Sequence, residues 1–334
     1  MTAIPSDSAI TVAGLCKSFG EQTVLDGLDL DVQQGTVFSL LGPNGAGKTT
    51  VVRILSTLIP ADAGQMQVAG HDLVQEPDAV RAAIGVTGQF SAVDGLLTGA
   101  ENLGLMADLH HLGRAAGRRR VAELLERFDL VEAASKPVSS YSGGMRRRLD
   151  LAMTLVARPR LIFLDEPTTA LDPRSRHGMW ALIRELVAEG VTVFLTTQYL
   201  DEADELADRI AVLDHGRIVA EGTATALKRR IPGGHVRLQF ANPHSLDAAA
   251  DALESTTPDE ETLSLQIPAD GSVASLRALL DRLDRAQVEP VELSIHTPDL
   301  DDVFFAVTGH SSANQDSTDQ RGTDPSEAAE VANR

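Results

Sequence analysis

The sequence predicts an α/β protein, with a helix-covered parallel sheet followed by a smaller α+β domain. From residue 10 to about residue 222, apolar strand candidates alternate with helical stretches, and strands that are apolar on both faces are typical of parallel sheets. Pro and Gly then cluster in "RRIPGG", residues 229–234, as they do in hinges. Beyond this hinge candidate, apolar and polar residues alternate with period two, which indicates strands with one solvent-facing side.

Length, charge and cysteine content limit the possible functions. The 334 residues leave room for one large or two modest domains. A formal charge of −19 argues against nucleic acid as a partner, because non-specific affinity for DNA or RNA comes mostly from Lys and Arg. Cys16 is the only cysteine, so this chain cannot build a disulfide framework or a thiolate zinc site, which fits a reducing cytoplasm.

Neither a secretory signal nor a membrane helix is recognisable. The N-terminal "MTAIPSDSAITVAG" lacks the basic start and the apolar run of a signal peptide. No stretch approaches the ~18 to 20 consecutive apolar residues that a membrane helix needs. We therefore expect any membrane role to depend on a partner.

The alternation of strands and helices predicts a first domain at 1–230. Its clearest strand candidates are the mostly apolar runs at residues 37–41, 161–164, 191–195 and 210–213. Each is short and bounded by helical or turn residues, as in a doubly covered sheet.

A small βαβαβ domain is predicted at 234–309. Its strands are marked by Val236, Leu238 and Phe240, by Leu263, Leu265 and Ile267, and by Val291, Leu293 and Ile295. The stretches "SLDAAADALE" and "SVASLRALLDRLDRA" have helical spacing, and "DLDDVFFAVTG" is a closing helix. Residues 310–334 contain too few large apolar side chains to order themselves, so we expect a disordered tail.

A glycine-rich loop, "GPNGAGKTT", lies between a strand candidate and the helical "VVRILSTL". It comprises Gly42, Pro43, Asn44, Gly45, Ala46, Gly47, Lys48, Thr49 and Thr50. The glycines let backbone N–H groups surround an anion, Lys48 reaches the β- and γ-phosphates, and Thr49 offers a hydroxyl to Mg²⁺. A plain glycine-rich turn is the alternative, but strand, loop and helix together favour phosphate binding.

Two carboxylates end a later apolar strand in "RLIFLDEP". Asp165 suits a Mg²⁺ site, and Glu166 can polarise an attacking water. An acidic turn after an ordinary strand would look the same. The phosphate loop upstream favours the catalytic interpretation.

The stretch "YSGGMRRRLDLAMTLVARP" predicts a helix that begins after a Ser-Gly-Gly sequence. Ser142, Gly143 and Gly144 would form a second anion-binding helix terminus. The inward side chains are predicted to be Met145, Leu149, Ala152 and Val156. An ordinary helix cap is the alternative, and the position of this stretch between the phosphate loop and the Asp-Glu strand favours anion binding.

The order of these motifs resembles that in the ATP-binding subunits of ABC transporters, over residues 10 to about 227. The resemblance implies a P-loop NTPase fold with a parallel core sheet, an antiparallel subdomain and a helical subdomain. The resemblance identifies residues 42–50 as Walker A, Gln89 as the Q-loop residue, "LIFLDE" as Walker B and Asp172 in "ALDP" as the D-loop residue. "YSGGM", ending at Met145, stands in place of the signature LSGGQ. Phe19 falls where this family stacks an aromatic ring on adenine, although a core phenylalanine is the alternative.

This resemblance implies an ATPase that uses Mg²⁺ and closes head to tail with a second copy. ATP held by Lys48 of one copy would be capped by the signature residues of the other, Ser142 to Met145, next to Asp172. Gln89 would contact Mg²⁺ or the attacking water. Residues 90–113 would dock an integral membrane permease on the inner face of the cell membrane, with an ordinary helical subdomain as the alternative.

A finer resemblance concerns the type of transporter. "LTTQYLDEADELADRIAVLDHGRIVAEGT" and "TPDLDDVFFAVTG" are similar to segments of daunorubicin/doxorubicin-resistance ABC ATPases, which implies export of a small, hydrophobic, drug-like substrate. Two other functions stay open: an ATP-gated clamp with little hydrolysis, and a ribosome- or DNA-associated ABC ATPase. Relatives of the last kind usually carry two cassettes, coiled coils or zinc modules, none of which is recognisable here. The arginine runs at 118–120 and 146–148 are expected to be solvated helix faces.

Gln198 stands where most ABC ATPases have a histidine that touches the γ-phosphate. Glutamine can accept and donate hydrogen bonds, but it cannot become a cation near neutral pH. We expect Gln198 to sense the γ-phosphate, Glu166 to activate water, and hydrolysis to survive at a reduced rate. A strand-end amide bonded to nearby backbone is the alternative.

Overall fold

The computed structural model describes residues 7–89, 92–230, 234–253, 258–259, 262–269, 272–296 and 298–308. The chain separates into two compact units, Met1–Leu227 and Lys228–Arg334. The segment 310–334, expected to be disordered, lies outside the described residues, as do residues 231–233 of the hinge candidate. None of the helices in the described ranges combines the length and the apolar character that crossing a membrane requires.

The first unit alternates strands and helices, as predicted. Its strands are β1 (Ser8–Phe19), β2 (Gln22–Gln33), β3 (Val37–Leu41), β4 (Ala63–Val68), β5 (His71–Asp72), β6 (Ile84–Thr87), β7 (Leu161–Asp165), β8 (Thr192–Thr197), β9 (Arg209–Asp214) and β10 (Arg217–Gly222). The helices up to the end of this unit are α1 (Lys48–Leu55), α2 (Pro77–Ala83), α3 (Gly99–Leu109), α4 (Arg114–Arg127), α5 (Gly143–Thr154), α6 (Pro173–Ala188), α7 (Leu200–Leu206) and α8 (Ala224–Lys228). The predicted strands coincide with β3, β7, β8 and β9 to within two residues.

Two sheets form the framework of this unit. An antiparallel sheet has the order β2-β1-β4-β5, and the larger sheet has the order β10-β9-β3-β8-β7-β6. In the larger sheet, the neighbours from β9 to β6 run parallel and β10 is antiparallel to β9. The carboxyl ends of β3, β8 and β7 therefore meet at one edge, and the loops that follow them lie side by side.

The three inner strands β3, β8 and β7 are buried along their whole length, because both faces of the sheet are covered. Phe38 on β3 stacks on Phe194 on β8 with ring centroids 5.5 Å apart, and Phe163 on β7 packs against Phe194 at the same separation. Each fully buried ring stabilises the fold by roughly 1.5–3 kcal/mol relative to an exposed one. These contacts hold the strands that carry the candidate site in register.

Helix α3 lies within the segment 90–113, for which an ordinary helical subdomain was the alternative to docking, and α4 follows that segment. Helix α3 begins with a capping box, in which Thr98 Oγ1 accepts from the Glu101 amide at 3.2 Å and Glu101 Oε2 accepts from the Thr98 amide at 2.8 Å. Leu96, Leu105 and Leu109 in and before α3 are exposed.

The second unit is a small α+β structure. Its strands are β11 (His235–Gln239), β12 (Pro258–Asp259), β13 (Ser264–Pro268) and β14 (Glu292–His296), and its helices are α9 (Pro243–Leu253), α10 (Val273–Ala286) and α11 (Leu300–Thr308). The sheet is antiparallel in the order β12-β13-β11-β14, so the predicted βαβαβ order is extended by the short β12. Three residues predicted to lie in strands fall one residue outside the observed β11, β13 and β14, namely Phe240, Leu263 and Val291. Val273 is exposed at the first turn of α10.

Candidate nucleotide site

The glycine-rich loop connects β3 to α1 and is shaped by close backbone contacts. Gly47, immediately before α1, has φ of 111°, and a Cβ there would lie 2.8 Å from the Leu25 side chain. A Cβ on Gly42 would lie 2.4 Å from the Leu213 carbonyl oxygen. These two positions therefore require glycine for the chain's own packing. The loop can in consequence turn backbone N–H groups toward a phosphate at the start of α1.

Lys48, the first residue of α1, is buried beside the loop that precedes it. Its Nζ donates to the carbonyl oxygens of Gly42 at 2.8 Å and Pro43 at 3.0 Å, and lies 3.6 Å from Glu166 Oε1. Burial lowers the pKa of Lys48, while the carboxylates of Glu166 and Asp165 act in the opposite direction. A lysine with carboxylates this close supplies a positive charge where little water can screen it.

Asp165 ends β7 and faces α1. Its Oδ1 accepts from the hydroxyl of Thr49 at 3.2 Å and from the hydroxyl of Thr196 at 2.5 Å. Thr196 is in place because β7 and β8 pair with Asp165 directly opposite Thr196. Carboxylate and hydroxyl oxygens are the hard ligands that Mg²⁺ prefers, so Thr49 and Asp165 fit such an ion together with phosphate oxygens.

Glu166 follows β7 in a left-handed backbone conformation, with φ of 49°. Its amide donates to the Thr196 carbonyl at 3.1 Å, and its Oε2 accepts from the Thr169 hydroxyl at 3.2 Å. Such a conformation costs ~1–3 kcal/mol in a residue other than glycine and persists only where surrounding contacts hold it. The strained backbone turns the Glu166 carboxylate toward Lys48.

The loop, the lysine and the carboxylate enclose a cleft of about 240 Å³. Its lining is Val24, Asn44, Gly45, Gly47, Lys48, Thr49, Thr50, Gln89 and Glu166. Gln89, which the resemblance identified as the Q-loop residue, is thus brought to the same cleft as the phosphate loop. Ala46 closes the loop, because its amide donates to the Pro43 carbonyl at 3.3 Å.

The Ser-Gly-Gly stretch lies at the start of α5 and does not line this cleft. Exposed Ser142 caps the helix, and its Oγ accepts from the Met145 amide at 3.2 Å. A Cβ on Gly144 would lie 2.6 Å from Ser175 Oγ, and that hydroxyl donates to Asp172 Oδ2 at 2.6 Å. Hydrogen bonds from the hydroxyl and the amide of Ser175 lower the pKa of Asp172. The predicted signature and D-loop residues are therefore neighbours.

Two of the alternatives weighed for single residues are not supported. Phe19 is 50% exposed at the end of β1, with the Lys17 Nζ 5.3 Å from its ring centroid, so it is not a core phenylalanine. Gln198 follows β8 and is half-buried, and its side chain makes no hydrogen bond to any residue in the described ranges. Both side chains thus remain available for a ligand.

The expectation that residues 146–148 form a solvated face is wrong for Arg147. Its guanidinium is buried and bonds to backbone carbonyls next to Glu166 and Gln89. Arg120 in the other arginine run also turns inward and donates to the Leu155 carbonyl. A buried arginine needs a carboxylate, and Asp150, three residues after Arg147 on an otherwise apolar helix face, was the signal in the sequence. Thr196 was likewise missed, because a strand threonine has no distinctive pattern.

Comparison with known proteins agrees with this geometry. Residues 25–169 match the family model described as ABC transporter. The chain is 50% identical to the daunorubicin resistance ATP-binding protein DrrA3 of Streptomyces coeruleorubidus, over 91% of this chain and 97% of that protein. This chain belongs to the ABC transporter family of ATP-binding proteins. It is also 38% identical to the Nod factor export ATP-binding protein I of Ralstonia nicotianae, over 92% of this chain and 95% of the relative.

Solved ATP-binding cassettes have the same fold. An ATP-binding subunit of an ABC transporter superimposes with a TM-score of 0.60 at 28% identity, covering 66% of this chain and 92% of its own. A dimeric cassette bound to ADP and Pi gives 0.59 at 26% identity, covering 64% and 98%. The chain is accordingly an ATP-binding ATPase of the kind that powers transport, and exporter subunits of this family work as dimers with membrane permeases. The names of these relatives refer to drug resistance, export and transport.

Proposed function

We propose that this chain hydrolyses ATP, with Mg²⁺, to export a small, hydrophobic, drug-like molecule through a separate membrane permease. The observation that carries the ATP chemistry is the single cleft in which Lys48, Gln89 and Glu166 meet the phosphate loop. The substrate class is supported by the 50% identity to a daunorubicin resistance protein along nine tenths of the chain.

Hydrolysis can be assigned to the chain's own residues. The loop N–H groups and Lys48 bind the phosphates, while Thr49, Asp165 and Gln89 would hold Mg²⁺, which supplies positive charge for the phosphate oxygens. Glu166 Oε1 accepts a proton from water as the water oxygen bonds to the γ-phosphorus, and ADP leaves with the electrons of the broken P–O bond. The Thr169 hydroxyl holds the other carboxylate oxygen in place.

A second copy would complete the site. The start of α5 is exposed and does not line the cleft of its own chain, which fits a surface that caps nucleotide on another copy. We assign this capping to Ser142, Gly143, Gly144 and Met145, beside Asp172. Phe19 would stack on adenine and Gln198 would contact the γ-phosphate.

The permease would bind the helical region on the inner face of the cell membrane. Leu96, Leu105 and Leu109 are exposed there, and α3 and α4 enclose an open groove of about 560 Å³ lined by Ala107, Leu112 and Val121, among others. Exposed apolar surface of this kind commonly marks a protein-binding site. Residues 234–309 would form an accessory domain.

The Glu166→Gln variant tests the catalytic assignment. Loss of the proton acceptor should lower steady-state hydrolysis by ~10²–10⁴-fold while ATP still binds, so that ATP-bound dimer accumulates in size-exclusion chromatography. Glu221→Gln is the control, because Glu221 on β10 pairs with Arg209 on β9 and does not line the cleft. Unimpaired hydrolysis by Glu166→Gln would contradict the assignment of Glu166 as the proton acceptor.

Transport is tested in cells that express the chain together with a candidate permease. Wild-type protein should lower daunorubicin accumulation, and Glu166→Gln should not. The chain should also co-purify with the polytopic subunit from membranes. Stable association with ribosomes instead would contradict the export function.

A further inference from the structure

Arg147 and Asp150 form a buried ion pair on α5, one helical turn apart. The Arg147 Nη1 lies 3.2 Å from Asp150 Oδ2, and both side chains are at most one tenth exposed. Burying two charges costs several kcal/mol per ion unless good geometry and further hydrogen bonds compensate. The other hydrogen-bond partners of the pair therefore show which parts of the chain these buried charges hold in place.

One set of partners lies on either side of Gln89. Arg147 Nη1 donates to the Gly88 carbonyl at 2.8 Å, and Asp150 Oδ1 accepts from the Ala92 amide at 3.2 Å. Gly88 immediately precedes Gln89, and Ala92 comes three residues after it. Both flanks of the Q-loop residue are thus bonded to the same ion pair.

A second set of partners lies beside the catalytic carboxylate. Arg147 Nε donates to the Pro167 carbonyl at 2.8 Å, and Nη2 donates to the carbonyls of Asp165 and Glu166, each at 3.2 Å. With Gly88 and Asp150, these acceptors match the five N–H donors of a guanidinium. Burial lowers the pKa of Arg147, but the neighbouring Asp150 and other carboxylates oppose the change.

We propose that the Arg147–Asp150 pair is a positioning device that fixes Gln89 and Glu166 relative to α5. The proposal rests on the roles proposed above for Gln89, Glu166 and the start of α5. Because that helix start would contact the nucleotide of a second copy, the pair links contact with one nucleotide to the geometry around the other. Lysine cannot replace Arg147, since a compact ammonium has three donors and no planar fork to reach both sets of carbonyls.

Arg147→Lys and Asp150→Asn test the pair in the full-length chain. Each should lower kcat by about 10²-fold, because a shift of 1 Å in a positioned group can cost that much. Affinity for a fluorescent ATP analogue should change by no more than about twofold, since neither residue lines the cleft. Arg148→Lys is the matched control: Arg148 sits next to Arg147 but bonds to Phe128 and Asp129. Equal loss of kcat in the control would overturn the proposal.

Hydrogen exchange separates positioning from simple destabilisation. In folded Asp150→Ala protein, which lacks the acceptor of the Ala92 amide, that amide should exchange about tenfold faster, because the loss of one hydrogen bond changes the opening equilibrium by roughly that factor. Exchange in α6, to which none of the hydrogen bonds described above leads, should stay unchanged. An unchanged Ala92 rate, or a fall in kcat that equals the loss of folded protein by thermal unfolding, would contradict positioning.

A Gln89→Ala background distinguishes this inference from the function on which it rests. If Gln89 acts as proposed, that change lowers kcat, and Arg147→Lys then costs less than it does in wild type, because the two act through one element. If Gln89→Ala keeps full activity, the assignment of Gln89 fails, while the faster Ala92 exchange still reports whether the pair holds the loop.

Discussion

Two glycine-containing stretches lead into helices of the first unit, and they are built in opposite ways. Before α1, the chain's own atoms leave no room for a side chain at Gly42 or Gly47, and Lys48 is buried. Before α5, Ser142 is exposed, and a Cβ added at Gly143 would meet nothing within 4 Å. The shape of the first stretch is fixed by contacts within its own chain, whereas the second stretch is exposed and has few such contacts.

This difference separates two reasons for glycine. At Gly47 the left-handed backbone and the Leu25 contact require it for folding. At Gly143 no contact within the described part of the chain requires it, and glycine is a weaker helix former than alanine. Glycine at 143 is therefore best explained by a ligand that approaches from outside, as in the proposed dimer.

The largest expected effect is that of Lys48→Ala on the internal site. Removing Lys48 takes away the cation for the phosphates and leaves Glu166 without its nearest cation. Truncating one partner of a buried charged pair costs ~2–5 kcal/mol, so ATP affinity should fall by about 10³-fold. Equilibrium binding of a fluorescent ATP analogue measures this loss. Lys136→Ala, at an exposed lysine, should bind like wild type, and wild-type affinity in Lys48→Ala would contradict phosphate binding by Lys48.

The next effect concerns Gln198, whose side chain has no hydrogen-bond partner among the described residues. Loss of one transition-state donor costs ~10²–10³-fold in kcat, so Gln198→Ala should fall near the lower figure. Gln198→His should stay within a few-fold of wild type, because imidazole can also donate and accept. Phosphate release at saturating ATP measures both. Equal turnover in wild type and Gln198→Ala would show that Gln198 contacts no γ-phosphate.

The sequence predicted the internal site better than the contacts that hold it. The strand before residues 42–50 and the strand ending at Asp165 were recognisable because buried parallel strands are short apolar runs, and the adjoining polar residues had fixed spacing. The proximity of Thr49 and Asp165 was implied by the Mg²⁺ role predicted for both residues. Sequence could not show that Thr196 binds Asp165, because this contact depends on the register of β8 against β7.

Arg147 shows why the local sequence pattern did not predict which charged side chains of α5 are buried. Three successive arginines usually indicate solvent exposure, yet Arg147 is buried because backbone carbonyls from two distant loops converge on it. Helix periodicity alone identified Leu149 and Ala152 as inward-facing, and both are buried. Every residue has a backbone carbonyl group, so the sequence does not show which carbonyls the fold will bring together around Arg147.

Gly143→Ala should give a smaller effect, and it tests the outward-facing stretch directly. A methyl group at a close approach to nucleotide costs ~1–3 kcal/mol, so kcat should fall by about tenfold, whereas ATP binding to the monomer and Tm should not decrease. Gly178→Ala is the matched control and should hydrolyse ATP like wild type, because Gly178 lies in α6 and a Cβ there would also meet nothing within 4 Å. Wild-type hydrolysis in Gly143→Ala would contradict capping by this stretch.

The smallest expected effect is a change in stability at the internal site, through Glu202 on α7. This fully buried carboxyl accepts from the Thr168 hydroxyl at 2.8 Å and from the Trp180 indole at 3.0 Å. Burial raises the pKa of Glu202 more than hydrogen bonds from Thr197, Thr168 and Trp180 lower it. The folded state therefore binds more protons than the unfolded one, and stability falls as pH rises from ~4.3 through the raised pKa.

Glu202→Gln keeps the size of the side chain and can accept the same two hydrogen bonds, but it never ionises. Its Tm should exceed that of wild type at neutral pH, by about 2–4 °C for each 1 kcal/mol gained, and should equal it below about pH 4. Glu205→Gln, at a partly exposed glutamate of α7 paired with Arg184, should lack this pH-dependent difference. A lower Tm for Glu202→Gln at neutral pH would mean that the ionised carboxylate stabilises the fold. Because Glu202 is fully buried and bonds to other buried side chains, Glu202→Gln should change stability without lowering kcat. Gly143→Ala, at the outward-facing stretch, should instead lower kcat without lowering Tm.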